Sequence, residues 1–407
     1  MQKQLCVLLL AALPMGASAE LKIEYRAEQS SAQLNEESLF AVPQDYKVVA
    51  IDTRQQEMLL NYTHNGLRML LMVRASNSDL EQDTKTETGL QELLYDFRLA
   101  GYEWSVGKKT VSWGVGYGFR PLDIVQQESR LQWQSLSLEG VPMLGMESYG
   151  SDGSDSWILF RDTRSQDSPS VNDRLALAYQ HYLLSGHSDL YSMAMLDEKG
   201  RYKLGGGFSQ VPAEMMEWHG SILYLSQYEK FVRASTAPVL ASSDPFLSQS
   251  YQAGGQFLLG ASWTWASGMS MMLEAWYDST AYSQSEWRDL LQLSAQQVAL
   301  LGSGPPDAAI YNNLNWNSRA FQNTSLMQQN ILMRMSYAGE SLEPEFYLLY
   351  APEDGGYIVN LTLTKELGDN IRLFAAWRQF GGNRDAVYAQ LPTGEMFALG
   401  FSLAGLW

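Results

Sequence analysis

The sequence predicts an all-β protein: a transmembrane antiparallel up-and-down β-barrel of about 16–18 strands, with a short helix in one long outer loop. Three observations lead there. Beyond the N-terminal segment, no stretch offers the roughly eighteen uncharged apolar residues that a membrane helix needs. Short alternating segments punctuated by Gly, Asn and Asp run the length of the chain without a linker. The chain also ends on a strand with one aromatic and apolar face.

In that last strand, Phe397, Leu399, Phe401 and Leu403 fall on one parity with Trp407, and Met396, Ala398, Gly400, Ser402 and Ala404 on the other. A period of two is a strand. The segment resembles the C-terminal β-signal of Gram-negative outer-membrane proteins, with Gly405 standing where a larger apolar residue is more usual. The resemblance implies that Phe397, Leu399, Phe401, Leu403 and Trp407 meet the outer-membrane insertion machinery. It also implies a barrel wall facing the lipid of a Gram-negative outer membrane. An ordinary core strand at a chain end would alternate in the same way.

At the other terminus, Lys3, the apolar run Leu5 to Leu13 and Ala17-Ser18-Ala19 before Glu20 have the form of a cleaved secretory signal. The expected organisation is a signal over 1–19 and one barrel domain over 20–407. The single cysteine, Cys6, lies inside the apolar run, so neither a lipoprotein anchor nor a disulfide framework is expected.

Composition agrees with spanning by strands. A closed barrel satisfies its backbone groups inside lipid, and its alternating side chains keep the mean hydropathy low, here -0.22. The net charge of -17 argues against a nucleic-acid partner. The 12 Trp and 22 Tyr are the amphipathic aromatics of bilayer interfaces. A secreted β-rich enzyme could share that richness.

The clearest hairpin is 57–75. Met58, Leu60 and Tyr62 precede Asn65-Gly66, the preferred two-residue turn, and Leu67, Met69, Leu71 and Val73 follow it, on the parity opposite Arg68 and Arg74. Other strands are expected near 21–27, 90–99, 102–110, 130–138, 156–162, 173–184, 188–197, 200–209, 217–226, 254–266, 269–279, 328–338, 342–351, 356–365 and 370–379.

Outer-membrane barrels have tight periplasmic turns and longer outside loops. Counting back from the terminal strand, 367–370, 339–340, 267–268, 185–187, Gly101 and Asn65-Gly66 fall on the short side. The connections 380–395, 280–327, 227–253, 111–129 and 77–89 fall on the long side. Two connections break the pattern: 139–155 is long on the short side, which leaves a strand near Met143–Tyr149 open, and 197–200 is short on the long side.

In the longest connection, Trp287, Leu290, Leu291, Ala295, Val298 and Leu301 sit at helical spacing, with Ser285 as expected N-cap and Gly302 as stop. Such a helix could plug the barrel mouth or cap its rim.

The parity opposite the apolar face carries Arg68, Arg74, Asp96, Arg98, Glu274, Asp278, Arg334, Arg372 and Arg378, which would point into a polar lumen. They would line a path for solutes or brace the wall by cross-strand pairing. The Gly-rich stretch Gly107 to Val125, with Trp113-Gly114 and Pro121-Leu122-Asp123, is similar to segments of outer-membrane porin-like and polysaccharide-export barrels. That resemblance implies a loop folded inward, with Arg120 and Asp123 at a constriction; a packed exterior loop would suit the same residues.

Gly107-Lys108-Lys109-Thr110 lacks the upstream glycine of a P-loop, and no dinucleotide fingerprint occurs. His64, His181, His187 and His219 form no i,i+4 pair, so neither a metal nor a cofactor is implied. The expected function is an outer-membrane channel, porin-like or export, passing small polar solutes or an extended polymer. The alternatives are a lipid hydrolase with Ser and His on the outer wall, for which His181 or the His219–Ser221 pair are candidates, and a non-conducting barrel with a structural or surface-binding role.

Overall fold

The computed structural model describes residues 19–43, 50–80, 83–126, 138–162, 174–323 and 325–406. It is a closed antiparallel barrel of 18 strands. In chain order these are β1 (Glu20–Leu34), β2 (Asp52–His64), β3 (Leu67–Ser78), β4 (Lys85–Leu99), β5 (Tyr102–Lys109) and β6 (Val141–Tyr149). There follow β7 (Gly153–Asp162), β8 (Arg174–Ser185), β9 (Ser188–Asp197), β10 (Tyr202–Ala213), β11 (Met216–Arg233) and β12 (Phe246–Thr264). The wall is completed by β13 (Met269–Asp278), β14 (Gln329–Tyr337), β15 (Leu342–Ala351), β16 (Gly356–Leu367), β17 (Ile371–Gly381) and β18 (Thr393–Leu406). Two helices, α1 (Gln284–Val298) and α2 (Asp307–Ser318), lie between β13 and β14. No helix among the described residues is long and apolar enough to cross a membrane.

Each strand pairs with its neighbours in sequence, and β1 pairs with β18 from Lys22↔Leu406 to Leu34↔Thr393, which closes the ring. Closure leaves no open edge. The two faces differ as the alternation requires. Leu399 is 65% exposed and Ile222 60% on the outer wall, whereas Leu258 and Leu332, on the opposite parity, are 0% exposed. The turn Asn65-Gly66 has φ of 45° and 82°, the left-handed pair of a two-residue hairpin.

Three readings need correction, and a fourth lies almost wholly outside the described residues. The 139–155 stretch is not a long connection: it contains β6, which pairs with β5 from Glu103↔Glu147 to Lys109↔Val141, and then a tight turn at 150–152. The strand expected at 130–138 falls almost wholly outside the described residues. The connection 227–253 shrinks to 234–245, because β11 and β12 stay paired out to Arg233↔Phe246. The long outer loop holds two helices and not one, and the N-cap of α1 is Ser283, not Ser285. The Ser283 side chain accepts the Glu286 N–H while the Glu286 carboxylate accepts the Ser283 N–H, a reciprocal capping box.

The helical loop enters the mouth and does not merely lie on the rim. Trp287, Leu290, Ala320, Leu326 and Met327 share one apolar cluster with the inward-facing wall residues Leu258, Trp276, Leu332, Leu349 and Ile358. Trp287 Nε1 donates to Leu326 O at 2.6 Å. Gln297 donates to Val239 O, and Asn313 exchanges bonds with the backbone of Ala241, tying this loop to the 234–245 connection.

Candidate functional site: an inward loop and a charged wall

The connection between β5 and β6 leaves the wall at Lys109 and turns into the barrel. Val111, Leu122, Ile124 and Val125 pack against Val141, Met143, Ile158, Phe160, Ala176, Ala178 and Met193, which are inward residues of β6–β9. Further round, the loop lies on β10 to β14. Glycine permits the approach: a Cβ on Gly116 would stand 2.4 Å from Leu258, and one on Gly118 would stand 2.5 Å from Leu332. On the wall side, Gly205 and Gly207 leave room for the Leu122 side chain. From β5 to β14 is half the ring, so the segment 110–126 lines half the lumen.

Two carboxylates shape this loop. Asp123, 4% exposed, accepts the N–H groups of Trp113 and Gly114, each at 2.6 Å, and the Ser112 hydroxyl at 3.1 Å. It folds the loop on itself. Arg120 completes the knot, donating to Gly116 O at 2.7 Å and lying 3.8 Å from Asp123. Glu274 of β13, 1% exposed, joins loop to wall: its two oxygens accept the N–H groups of Tyr117 and Gly118, both at 2.7 Å. His219 of β11 lies 2.9 Å from the same carboxylate, over Gly260, whose missing Cβ makes room for the imidazole. Arg334 of β14 stacks over the Tyr117 ring at 4.9 Å and pairs with Glu345.

Among the residues expected at a lumen or constriction, the structure thus gathers Arg120, Asp123, Glu274 and Arg334 around one loop. The others are spread along the wall. Arg68 pairs with Asp96 at 2.8 Å, and Arg98 with Glu103, both beside the short turns at 65–66 and 100–101. Arg372 pairs with Glu366 at 2.9 Å near the 368–370 turn. Asp278, 4% exposed, is held by Gln256 and Thr280 at the long-loop end. Arg378 donates to Asn360 at 3.3 Å. Arg74 lies between Glu57 at 2.6 Å and Glu87 at 3.8 Å.

Strand register reveals an order that parity alone concealed. Glu87, Arg74, Glu57, Arg26, Ser402, Arg372 and Glu366 are successive cross-strand partners from β4 through β1 to β16. The row begins near the long-loop end of β4 and finishes near the short-turn end of β16. Strands in a barrel tilt by roughly 35–45°, so a row perpendicular to them climbs the wall. It runs on the side of the lumen that the 110–126 segment leaves uncovered. Arg26 and Glu57 escaped the sequence analysis, since only pairing to both neighbours places them between Arg74 and Arg372.

The histidines separate cleanly. His219 and Ser221 face the barrel interior, at 3% and 5% exposed, and so cannot form a lipid-facing Ser–His pair. His181 points outward and lies 2.9 Å from Asp155.

No protein-family model matches the chain, and no curated protein matches it. Solved structures do. Pseudomonas aeruginosa OccK5 (OpdH) superposes with a TM-score of 0.55 over 96% of this chain and 98% of that one, at 9% identity. The chain shares the Occ fold. Acinetobacter baumannii OccAB1 gives 0.55 over 96% and 97% at 9% identity, and P. aeruginosa OccK8 (OprE) gives 0.55 over 96% and 98% at 8%. At such identities the likeness is one of architecture.

Proposed function

We propose that the protein is an outer-membrane channel of a Gram-negative bacterium, passing small polar solutes through a charged lumen narrowed by the 110–126 loop. The observation that carries this reading is the pairing of that anchored loop, which lines half the lumen, with the climbing row of charges on the other half. A closed barrel with an apolar outer wall and a polar interior is built to cross lipid and keep water inside. Acidic and basic groups facing one another across a narrow aqueous path set up a transverse field that orders dipolar solutes. Arg120, Asp123, Glu274 and Arg334 form the constriction in this reading. Arg68, Arg74, Asp96, Arg98, Arg372 and Arg378 line the approaches, and Asp278 braces the mouth.

Residues 1–19 act as the export signal, and β18 supplies the insertion machinery with its outward face of Phe397, Leu399, Phe401 and Leu403. Short turns then lie in the periplasm and the helical loop outside. The similarity in fold to the Occ structures supports the barrel architecture on which this reading rests.

The test is single-channel conductance in planar bilayers, comparing the intact chain with one lacking residues 280–327. Steady conductance that rises on deletion supports a channel whose mouth the helices narrow. Silence from both proteins, each migrating as a heat-modifiable folded barrel, overturns it.

A further inference from the structure

The outer wall of β6–β10 carries a polar row where its surroundings are apolar. Ser148, Asp155, His181, Ser192 and Gly206 are successive cross-strand partners on the outward parity. The next outward row toward the long loops is Trp157, Tyr179, Ala194 and Leu204, and toward the short turns it includes Leu183, Leu190 and Phe208. A charge on the lipid face costs free energy that falls toward the interface, so an acid between apolar rows calls for a partner. It has partners, and they leave part of it free. His181 Nδ1 lies 2.9 Å from Asp155 Oδ1, and the Tyr179 hydroxyl donates to that same oxygen at 2.6 Å. Among the described residues, nothing bonds to Asp155 Oδ2. Both side chains are open to the surroundings, 42% for His181 and 43% for Asp155.

We propose that this row binds the headgroup of a phospholipid bearing a primary ammonium, in the leaflet nearest the short turns. The proposal rests on the membrane reading above. A carboxylate can only accept, so the Nδ1 proton of His181 goes to Asp155, and the neutral form of the ring turns the lone pair of Nε2 outward. Asp155 Oδ2 is then an anionic acceptor with the neutral imidazole's Nε2 beside it, which fits an N–H-bearing cation. Ser192 stands one strand beyond His181 and two beyond Asp155, so an ammonium held between those two lies one to two spacings of roughly 4.8 Å from it. The two-carbon link of an ethanolamine headgroup separates ammonium from phosphate by a comparable length, so the Ser192 hydroxyl donates to a phosphate oxygen. Gly206, beyond it, leaves the wall low beside Ser192. Quaternary ammonium headgroups have no N–H to donate, and glycerol headgroups have no cation.

The full-length protein, reconstituted in bilayers of equal phosphatidylethanolamine, phosphatidylcholine and phosphatidylglycerol, is extracted in mild detergent and its retained lipids are measured by mass spectrometry. The expected result is phosphatidylethanolamine enriched roughly threefold or more over phosphatidylcholine, in proportion to the hydrogen bonds that only the former makes. Asp155→Asn abolishes the enrichment while leaving heat-modifiable migration and conductance unchanged, which separates this site from the channel reading. Equal retention of the three lipids, an enrichment that survives in Asp155→Asn, or a preference for phosphatidylglycerol overturns the proposal. So does lysophospholipid whose appearance depends on Ser192, since that outcome assigns the row to hydrolysis.

Discussion

Glu274 Oε2 accepts the backbone N–H of Gly118 at 2.7 Å, across 156 residues of sequence and from the barrel wall to the inward loop. With the neighbouring Tyr117 bond, this carboxylate fixes the loop's depth in the lumen. Hydrogen bonds to a charged group are each worth about 1.5–3 kcal/mol, and Glu274 is too buried for water to replace them. Glu274→Gln keeps one oxygen and loses the charge. We expect it to destabilise the barrel by about 2–4 kcal/mol and to raise open-channel noise and mean conductance as the loop shifts. Conductance identical to wild type, at equal folding, would mean that the loop holds its place without this anchor.

Gly118 makes the complementary test. A Cβ there would meet Leu332 Cδ2 at 2.5 Å and Glu274 Oε2 at 3.2 Å. Gly118→Ala should therefore cost about 1–3 kcal/mol through overpacking and push the loop toward the axis, lowering conductance. Leu332→Val removes the clashing methyl, so the double variant should recover part of both losses. A double variant no better than Gly118→Ala would place the strain elsewhere.

Much of the wall could be read from parity, because lipid on one side and water on the other impose a strict period of two, and Asn65-Gly66 marks its turn chemically. The reading failed where that contrast fades. The ends of β11 and β12, Gln227 to Arg233 and Phe246 to Gln252, are rich in polar residues, since strands of 18 and 19 residues outrun the roughly 9–11 needed to cross a bilayer. β6 was obscured by Pro142 and Gly145, and by its place after a long connection. α2, with Asn312, Asn313, Asn315 and Asn317 in its sequence, lacks a helical apolar stripe. Its Asn313 and Asn317 are nonetheless buried: Asn313 exchanges bonds with Ala241, and the Asn317 amide nitrogen donates to Ser294 and Gln297. For the site, parity pointed the charged residues inward, but only register could join Glu87, Arg74, Glu57 and Arg26, and only tertiary contact could match Glu274 to the loop.

Helix α1 is latched to the wall by Lys230 and Glu286, 3.0 Å apart. Burial pulls the Glu286 carboxyl upward, but the Ser283 N–H and the Lys230 ammonium outweigh it, and the group titrates below its ordinary 4.5. A carboxylate with a depressed folded value contributes stability that is present above pH 4.5 and lost as pH falls through that depressed value. Protease susceptibility of the 280–327 loop should accordingly rise as pH falls below 4.5, while Lys230→Met shows high susceptibility at all pH values. An intact chain whose loop is equally protected on both sides of that range would exclude the latch.

The charged row predicts that selectivity and stability can be changed separately. Arg372 and Glu366 are 64% and 36% exposed, and pairs of that kind contribute roughly 0–1 kcal/mol. Arg372→Glu should shift the reversal potential in a salt gradient toward cations with little change in melting temperature. Arg74 faces Glu57, whose side chain is 1% exposed. Arg74→Glu leaves that carboxylate buried without its cation, at a cost of about 3–5 kcal/mol, and should lower stability as well as shift selectivity. Reversal potentials unmoved by either change would take the row out of the conduction path.

Leu399 decides whether the outer wall faces lipid. It sits near the middle of β18, 65% exposed, with Phe397 and Leu403 on the same face. In water, an arginine at an exposed strand position is nearly neutral. At the bilayer midplane it costs about 2–4 kcal/mol. Leu399→Arg should therefore reduce the yield of heat-modifiable barrel in vesicles and lower its unfolding free energy by that amount. Ser402→Arg makes a useful contrast: it adds the same charge to the same strand but faces the lumen between Arg26 and Arg372, so its effect should appear in ion selectivity more than in assembly. If Leu399→Arg assembles as well as wild type, the apolar face of β18 is not in lipid.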